Sequence, residues 1–136
     1  ALGELAENHF SVLAGLDEDE AARALGRSNI IRCAAGDRVI KKGGTARNMF
    51  VVLEGHLEVR DAGKLVSVFG PGDVFGEMAF LLDRPRTADV YAATECRVLS
   101  LSEGTLRRSI DSDSKVAAHV ILNIAKILCM RILAKG

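Results

Sequence analysis

Hydrophobic residues follow a helical spacing at both ends of the chain and a strand spacing in its middle. In the first third the apolar positions are typical of short amphipathic helices; they are Leu2, Leu5, Phe10, Val12, Leu13 and Leu16. Asp17 precedes three acidic residues, which favour the positive end of a helix, so it is a good N-cap for a helix to about Leu25. Gly26 is the expected end of that helix.

From about residue 30 to residue 101 the apolar period becomes two, which predicts short strands. The alternating runs cover residues 39–40, 49–60, 64–69, 86–92 and 96–101. Glycines separate these runs, as turns and close-packed corners require; they are Gly36, Gly43, Gly44, Gly55, Gly63, Gly70, Gly72 and Gly76. We infer a small closed antiparallel β-barrel or jelly roll, in a fold that is mainly β with flanking helices.

Helical spacing returns after residue 101. Ser102 is expected to cap a short helical turn to Ile110, and residues 111–114 offer N-caps for a longer helix over residues 115–134. The apolar stripe of that helix consists of Val116, Val120, Ile124, Ile127, Leu128 and Ile132, and the residues that interrupt it are His119, Asn123, Lys126 and Arg131. Its length would span a bilayer, but the polar interior positions favour an amphipathic helix on the β region and not membrane insertion.

Composition limits the classes of protein that fit. The chain of 136 residues, 49% of them hydrophobic, is long enough for one domain with a core. Eighteen Lys and Arg balance eighteen Asp and Glu, so no global positive field attracts nucleic acid and any anion site must be local. Cys33, Cys96 and Cys129 lie far apart without zinc-site spacing and are expected to be small buried hydrophobes. No signal-peptide pattern opens the chain, which favours a cytoplasmic setting.

Residues 75–90 carry the clearest chemistry. A short helix from Glu77 to Leu82 would start with free backbone N–H groups, and Pro85 would stiffen the return that brings Arg86 to the same region. A phosphate between those N–H groups and the guanidinium would be well satisfied. Glu77 accepts hydrogen bonds and suits a hydroxyl group, so a phosphate joined to a ribose fits both residues. The alternative is that Glu77 and Arg86 simply pair with each other inside the turn.

This segment resembles the phosphate-binding cassette of the cyclic nucleotide-binding domain family. The family pattern is FGE, two or three apolar residues, a short variable turn, and then PR, Ser or Thr, and Ala. The matching residues are Phe75-Gly76-Glu77 and Pro85-Arg86-Thr87-Ala88. Upstream, residues 40–44, 49–59 and 70–76 resemble the glycine-marked β-roll corners of that family in the same order. The resemblance covers essentially the whole chain. It implies an eight-stranded β-roll, a double-stranded β-helix, between N-terminal helices and two C-terminal helices.

The resemblance also implies the roles of individual residues. Glu77 would hold the ribose 2′-hydroxyl, and Arg86 would pair with the cyclic phosphate. The implied ligand-binding set is Gly76, Glu77, Met78, Ala79, Arg86, Thr87 and Ala88. The Thr87 hydroxyl can reach the phosphate or the amino group of a syn guanine, which makes cGMP a credible ligand. Thr87 does not exclude cAMP, which ranks first. Candidates for a cap over the base, on the last helix, are Ile127, Leu128 and Arg131.

Residues 45–48 depart from the family pattern, which more often has a glycine and an acidic residue there. We expect this loop to touch the β-roll corner and not the cassette. His9, His56 and His119 are too scattered to support a metal triad or a cupin-type metalloenzyme. No Walker loop and no nucleophile with an evident base appears in the sequence, so we expect no enzymatic activity and no cofactor.

Three functions compete. The first is a regulatory module that senses cAMP or cGMP and acts on an attached effector, such as a channel, transporter, kinase or regulator, through the C-terminal helix. The second is the sensor domain of a catabolite-activator-type transcription regulator without its DNA-binding domain, in which case this chain binds no nucleic acid. The third is a degenerate β-roll that no longer binds a ligand and serves as an interaction scaffold.

The expected layout is a single domain over residues 1–136. It divides into an N-terminal helical segment (1–29), a β-roll (30–101) that contains the cassette (75–90), and C-terminal helices (102–136). Because the sequence begins at Ala1 and not at Met, we expect a part of a longer protein. Because it ends at Gly136 directly after the long helix, we expect the effector to lie N-terminal to Ala1. A homodimer is left open.

Overall fold

The structure is a computed structural model that describes residues 11–135, apart from the side chain of Ser28. The predicted apolar positions Leu2, Leu5 and Phe10 lie outside the described residues. The helices are α1 (Glu18–Leu25), α2 (Glu77–Leu82), α3 (Glu103–Ser112) and α4 (Ser114–Lys135), and a 3-10 turn follows α1 at Arg27–Asn29. The strands are β1 (Ile30–Cys33), β2 (Arg38–Ile40), β3 (Met49–Glu54), β4 (Leu57–Asp61), β5 (Lys64–Phe69), β6 (Val74–Phe75), β7 (Asp89–Ala92) and β8 (Cys96–Leu101).

The strands form two four-stranded antiparallel sheets, in the orders β1-β8-β3-β6 and β2-β7-β4-β5. The chain passes from one sheet to the other at most of its turns, which is how a jelly roll is wound. Within the described residues, eight strands with helices before and after them confirm the predicted β-roll.

The first sheet is covered on both faces. Phe50 and Val52 of β3 pack between the two sheets, whereas Met49 and Val51 of the same strand pack against the helices. This double burial explains why β3 is a continuous apolar run and does not alternate. The second core cluster, on the helix side, also contains Val12, Leu25 of α1 and the inner face of α4.

Side-chain caps begin α1 and α3 as predicted. Asp17 Oδ1 accepts from the Glu20 N–H at 2.7 Å, and Ser102 Oγ accepts from the Thr105 N–H at 3.1 Å. Helix α1 ends at Leu25, followed by Gly26 with a φ of 94°, in agreement with the prediction. Helix α3 extends to Ser112, two residues beyond the predicted end, before α4 begins at Ser114.

The predicted strand over residues 86–92 is wrong at its start, because β7 begins at Asp89. Residue 86 is tied instead to the loop after β2. The Arg86 N–H donates to the Gly44 carbonyl at 2.9 Å, and the Gly43 N–H donates to the Arg86 carbonyl at 2.8 Å. These two bonds hold the residue beside the loop and turn its side chain into the fold, where it is buried.

Asn123 was expected to interrupt the apolar stripe of α4, and the structure shows the opposite. Its side chain is buried, and Nδ2 donates to the Val12 carbonyl at 2.8 Å and to the Ala14 carbonyl at 2.9 Å. Two satisfied bonds remove the cost of burying the amide. Asn123 therefore ties the middle of α4 to the segment that precedes α1.

The C-terminal turns of α4 differ from the predicted stripe. Val116, Val120, Ile124 and Ile127 are buried as expected, but Ile132 is 71% exposed. Helix α4 is long and apolar enough to cross a membrane by length and composition alone, and one third of its most apolar window is buried within the fold.

The prediction that all three cysteines are buried was wrong for one residue. Cys33 and Cys96 are buried, but Cys129 of α4 is exposed.

Gly55, in the turn between β3 and β4, lies very close to the backbone that precedes β8. Its φ is 85°, and a Cβ there would lie 2.3 Å from the Glu95 carbonyl oxygen. Gly63 has a similar φ of 80° with nothing within 4 Å, so it is a matched control. We expect Gly63→Ala to lower the free energy of unfolding by about 1–2 kcal/mol, from backbone strain alone, and Gly55→Ala to lower it by about 1–3 kcal/mol more, from overpacking. Urea denaturation measures both, and equal losses would contradict the close approach.

Candidate functional site

A cavity of about 130 Å³ lies between the second sheet and the segment that follows β6. Its apolar floor consists of Ile40, Val59, Phe69, Phe75 and Val90. The structure brings all seven residues of the implied ligand-binding set to its wall: Gly76, Glu77, Met78, Ala79, Arg86, Thr87 and Ala88. Residues more than ten positions apart in sequence therefore meet around one concave surface, which combines an apolar floor with a few polar groups.

Arg86 is the buried cation of this cavity, with 7% of its surface exposed. Nη1 donates to the Gly76 carbonyl at 2.9 Å, and Nη2 donates to the Asn48 carbonyl at 2.5 Å and to Asn48 Oδ1 at 3.3 Å. These acceptors are neutral, and among the described residues no carboxylate forms an ion pair with Arg86. The alternative pairing of Glu77 with Arg86 is not what the structure shows.

Burial lowers the pKa of the Arg86 guanidinium, the nearby Arg47 lowers it further, and Glu77 opposes both effects. A guanidinium stays charged in proteins even so. The direction of the shift means that the charged form is poorly compensated where it stands. An anion within reach of its remaining N–H groups would relieve that cost.

Gly76 is required by the position of this guanidinium. Its φ of 75° lies in the left-handed region, and a Cβ on it would approach Arg86 Nη1 to 2.7 Å. The absence of a side chain lets the Gly76 carbonyl accept from Arg86 while the chain turns from β6 into α2. The Phe-Gly-Glu sequence and the buried arginine thus depend on each other.

The loop of residues 45–48 does contact the cassette, so the expectation that it would touch only the β-roll corner is wrong. Asn48 holds Arg86 through two oxygens, and Asn48 Nδ2 donates to Ser100 Oγ at 2.7 Å. Arg47 Nε pairs with Asp83 Oδ1 at 2.5 Å, at the C-terminal end of α2. In the sequence, this contact is indicated only by a loop of polar residues directly before the buried strand β3. Polar loops are common on protein surfaces, so the sequence does not identify the residue that the loop contacts.

Glu77 is engaged by α4. Arg131 Nη1 donates to Glu77 Oε1 at 3.2 Å, and Arg131 Nη2 donates to the Val74 carbonyl. The Arg131 guanidinium also stands over the ring of Phe69, 5.1 Å from its centroid. One residue of the last helix therefore reaches both the carboxylate and the aromatic edge of the cavity.

The three candidates for a base cap occupy different places. Ile127 is buried in the core on the helix side, and Leu128 packs partly against that core. Arg131 alone of the three contacts residues of the cavity wall. Phe69 was not singled out from the sequence, because an aromatic residue at the end of a strand is more often simply core.

Known proteins similar to this chain include members of a single domain family. The family model of the cyclic nucleotide-binding domain matches residues 30–113, from β1 into the end of α3. Glutaminase 2 of Bradyrhizobium diazoefficiens is 36% identical over 125 residues, which are 91% of this chain and 20% of that protein. The cAMP-dependent protein kinase regulatory subunit of Yarrowia lipolytica is 31% identical over 101 residues, which are 74% of this chain and 27% of that protein.

The chain thus spans about a fifth and about a quarter of the lengths of these two relatives. Among solved structures, a cyclic nucleotide-binding domain from Methylobacillus flagellatus has the same fold, with a TM-score of 0.74 at 20% identity over 90% of this chain and 75% of that one. The family match, the β-roll and the presence of a buried arginine and a separate carboxylate at one cavity lead to a single conclusion. This chain belongs to the cyclic nucleotide-binding domain family.

Proposed function

We propose that this domain binds cAMP, with cGMP as the competing ligand, and that it transmits the binding to an attached effector. The observation that carries the proposal is the buried Arg86 guanidinium, which is held by neutral oxygens at the wall of the cavity. A cyclic phosphate supplies the missing negative charge, and charge-assisted bonds in a site with little water are stronger than neutral ones. The kinase relative, which its name calls cAMP-dependent, supports cAMP as the first choice.

The rest of the ligand fits the remaining groups. Glu77 would accept a hydrogen bond from the ribose 2′-hydroxyl, and backbone N–H groups near Gly76, Met78, Ala79, Thr87 and Ala88 would complete the phosphate site. The Thr87 hydroxyl would bond the phosphate or the amino group of a guanine. The purine would then lie toward Phe69 and α4, where a flat aromatic surface and a guanidinium are available.

Binding of a cyclic nucleotide would replace Arg131 by the ribose hydroxyl as the hydrogen-bond partner of Glu77. Its carboxylate holds Arg131, and a ribose hydroxyl at the same oxygen would release that guanidinium. The cavity of about 130 Å³ is below the usual ligand pocket of roughly 300–1,000 Å³, so a bound nucleotide would extend out of it toward α4. The release of Arg131 and the size of the nucleotide both place the conformational change at the C-terminal turns of α4. Arg131 would be the base cap. Ile127 and Leu128 would stay in the core or move with these turns.

The effector is proposed to be attached in cis, and its class is a channel, transporter, kinase or regulator. We propose the division of the chain into a helical segment 1–29, a β-roll 30–101 with the cassette 75–90, and C-terminal helices 102–136. The domain would act as a binding module and not as an enzyme, in the cytoplasm or at the cytoplasmic face of a membrane protein. A catabolite-activator-type regulator would carry the same sensor, but this chain itself is proposed to bind no nucleic acid.

A homodimer through α4 has a specific observation in its favour. Five exposed residues of α4 follow the alternating intervals of four and three that form a coiled-coil seam; they are Ala118, Leu122, Ala125, Cys129 and Ile132. A second copy of the same helix is the partner that repeats this spacing. The seam lies on the solvent side of α4, opposite the buried Val120 and Ile124.

Arg86→Ala tests the phosphate assignment. Losing one partner of a desolvated charge pair costs about 2–5 kcal/mol, so the affinity for cAMP should fall by roughly 30- to 5,000-fold. Isothermal titration calorimetry with cAMP and, separately, cGMP at one fixed salt concentration gives both affinities and their ratio.

The matched control is Arg84→Ala, since Arg84 is exposed in the same turn; it should bind within about threefold of the unchanged protein, as expected for a solvated charge. Arg86→Lys keeps the positive charge but lacks the planar guanidinium with its paired N–H groups. It is a second variant in case Arg86→Ala does not fold. Unchanged affinity in folded Arg86→Ala protein would contradict the proposed site. Absence of binding by the unchanged protein would favour the interaction scaffold.

Arg131→Ala separates the two roles of Arg131. Loss of a cation stacked near the base should weaken binding of the full nucleotide by about 3- to 30-fold. A base-free ribose cyclic phosphate should bind slightly more tightly, because its hydroxyl no longer competes with Arg131 for Glu77. Calorimetry with both ligands measures this, with Met130→Ala as the exposed neighbouring control. Equal weakening for both ligands would argue against a base cap.

The dimer is tested by sedimentation equilibrium at increasing protein concentration. The unchanged protein should associate, and Leu122→Glu together with Ile132→Glu should keep it monomeric, because charges at the seam oppose its burial. Nucleotide affinity should stay the same, since neither residue lines the cavity. A monomer at about 100 μM, well above the micromolar affinity of many specific dimers, would contradict the proposal.

A further inference from the structure

Two cysteines lie directly opposite each other on neighbouring strands. In the pairing of β1 with β8, Cys33 is the register partner of Cys96, and both thiols are free. Opposite residues of an antiparallel pair point to the same face of the sheet. Here that face is the core between the two sheets, to which both side chains belong.

The distance between such partners suits a covalent bond. Opposite residues in an antiparallel ladder have Cα atoms about 4.5–5.5 Å apart, within the range of about 4.4–6.8 Å that disulfides take. Neither strand has to slide along the other to bring the sulfurs together. The far separation of the two cysteines in sequence hid this pairing, and their total of three argued against a disulfide framework.

The pair can be reached from outside. Cys33 and Cys96 line a second cavity of about 300 Å³, whose other walls include Arg32, Glu54, Glu95 and Arg97. This cavity shares no residue with the one that holds Arg86 and Glu77. The Cys96 thiol donates to the Thr94 carbonyl at 3.2 Å. A small molecule in the second cavity would meet Cys33 and Cys96 without entering the nucleotide site.

We infer that Cys33 and Cys96 form a thiol–disulfide exchange site, and that its oxidant is a small-molecule disulfide of the glutathione class. The Cys33 thiolate attacks one sulfur of oxidised glutathione, which forms a mixed disulfide and releases one glutathione thiolate. The Cys96 thiolate then attacks the Cys33 sulfur, forms the Cys33–Cys96 bond and releases the second glutathione thiolate. Two protons leave the protein thiols and end on two glutathione molecules, while the glutathione disulfide is reduced by two electrons.

Cys33 is the more exposed of the two, 8% against 4%, which makes it the site of first attack. Burial raises the pKa of both thiols, and Asp37 raises each further. The thiolate fraction at neutral pH is accordingly small, so the exchange is slow. The site thus responds to a sustained oxidising environment and not to a brief pulse of oxidant.

The bond would fasten an edge strand. Strand β1 lies at the end of its sheet and pairs with β8, which leads directly into α3. A cross-link between β1 and β8 encloses most of the β-roll in one covalent loop, and long loops restrict the unfolded chain most. Oxidation therefore stabilises the roll, and neither cysteine is itself in the lining of the nucleotide cavity.

The test uses the Cys129→Ser variant, which removes the exposed thiol and leaves the pair intact. Folded protein is incubated with oxidised glutathione and examined by intact mass spectrometry and by peptide mapping without reductant. We expect the loss of two hydrogen atoms, a peptide that joins Cys33 to Cys96, and reversal by dithiothreitol. The melting temperature of the oxidised protein should rise by about 5 °C or more.

A second variant, Cys33→Ala with Cys129→Ser, keeps the partner thiol and should gain at most one glutathione adduct without a shift in melting temperature. If the Cys129→Ser protein stops at a mixed disulfide, stays fully reduced, or forms the bond only in denaturant, the inference is overturned. These outcomes do not depend on nucleotide binding, so their failure is distinguishable from that of the proposed function.

Discussion

The burial of one positive charge is the constraint on which the site depends. Arg86 can remain in the fold because two backbone carbonyls, from Asn48 and Gly76, point at its guanidinium. Each of those carbonyls belongs to a different part of the chain, so the loop before β3, the start of α2 and the return to β7 must meet at one place. The left-handed backbone of Gly76 and the late start of β7 both follow from that meeting. The Arg86 guanidinium therefore joins three parts of the fold and is also the proposed contact for the phosphate.

Helix α4 is held at two points of different character. Asn123 Nδ2 donates to the Val12 and Ala14 carbonyls in a buried setting, where the loss of these bonds would leave polar groups unpaired. Arg131 is held at the edge by Glu77, the Val74 carbonyl and the face of Phe69, where its side chain is partly exposed. A displacement of α4 should therefore pivot near Asn123 and grow toward the C-terminal turns. Those turns carry Ile132 and Leu133, the most exposed large hydrophobic residues of the described part of the chain.

Local features of the fold, and the β-roll that the family resemblance implied, were predictable from sequence, but individual long-range contacts were not. The cap at Asp17, the end of α1 at Gly26 and the short helix α2 follow from interactions within a few residues. The cassette residues were predictable because one compact motif carries them. Asn48 and Phe69 lie outside the motif and join the site only through tertiary contacts, which no local spacing encodes. Asn123 was misjudged for the same reason, since a polar residue in an apolar stripe is an interruption unless distant carbonyls satisfy it.

The strength of the proposed signalling would be limited by what changes between the observed arrangement of α4 and the one proposed for the nucleotide-bound domain. The ion pair of Arg131 with Glu77 is partly screened, because its side chains are 29% and 18% exposed. Pairs in such settings contribute little more than about 1 kcal/mol, and the contact with Phe69 adds about 0.5–2 kcal/mol. A ligand shifts an equilibrium only by its differential affinity for the two states. The coupling carried by Arg131 is then within about 1–3 kcal/mol, a 5- to 150-fold change, so stronger control of an effector would need contacts beyond this residue.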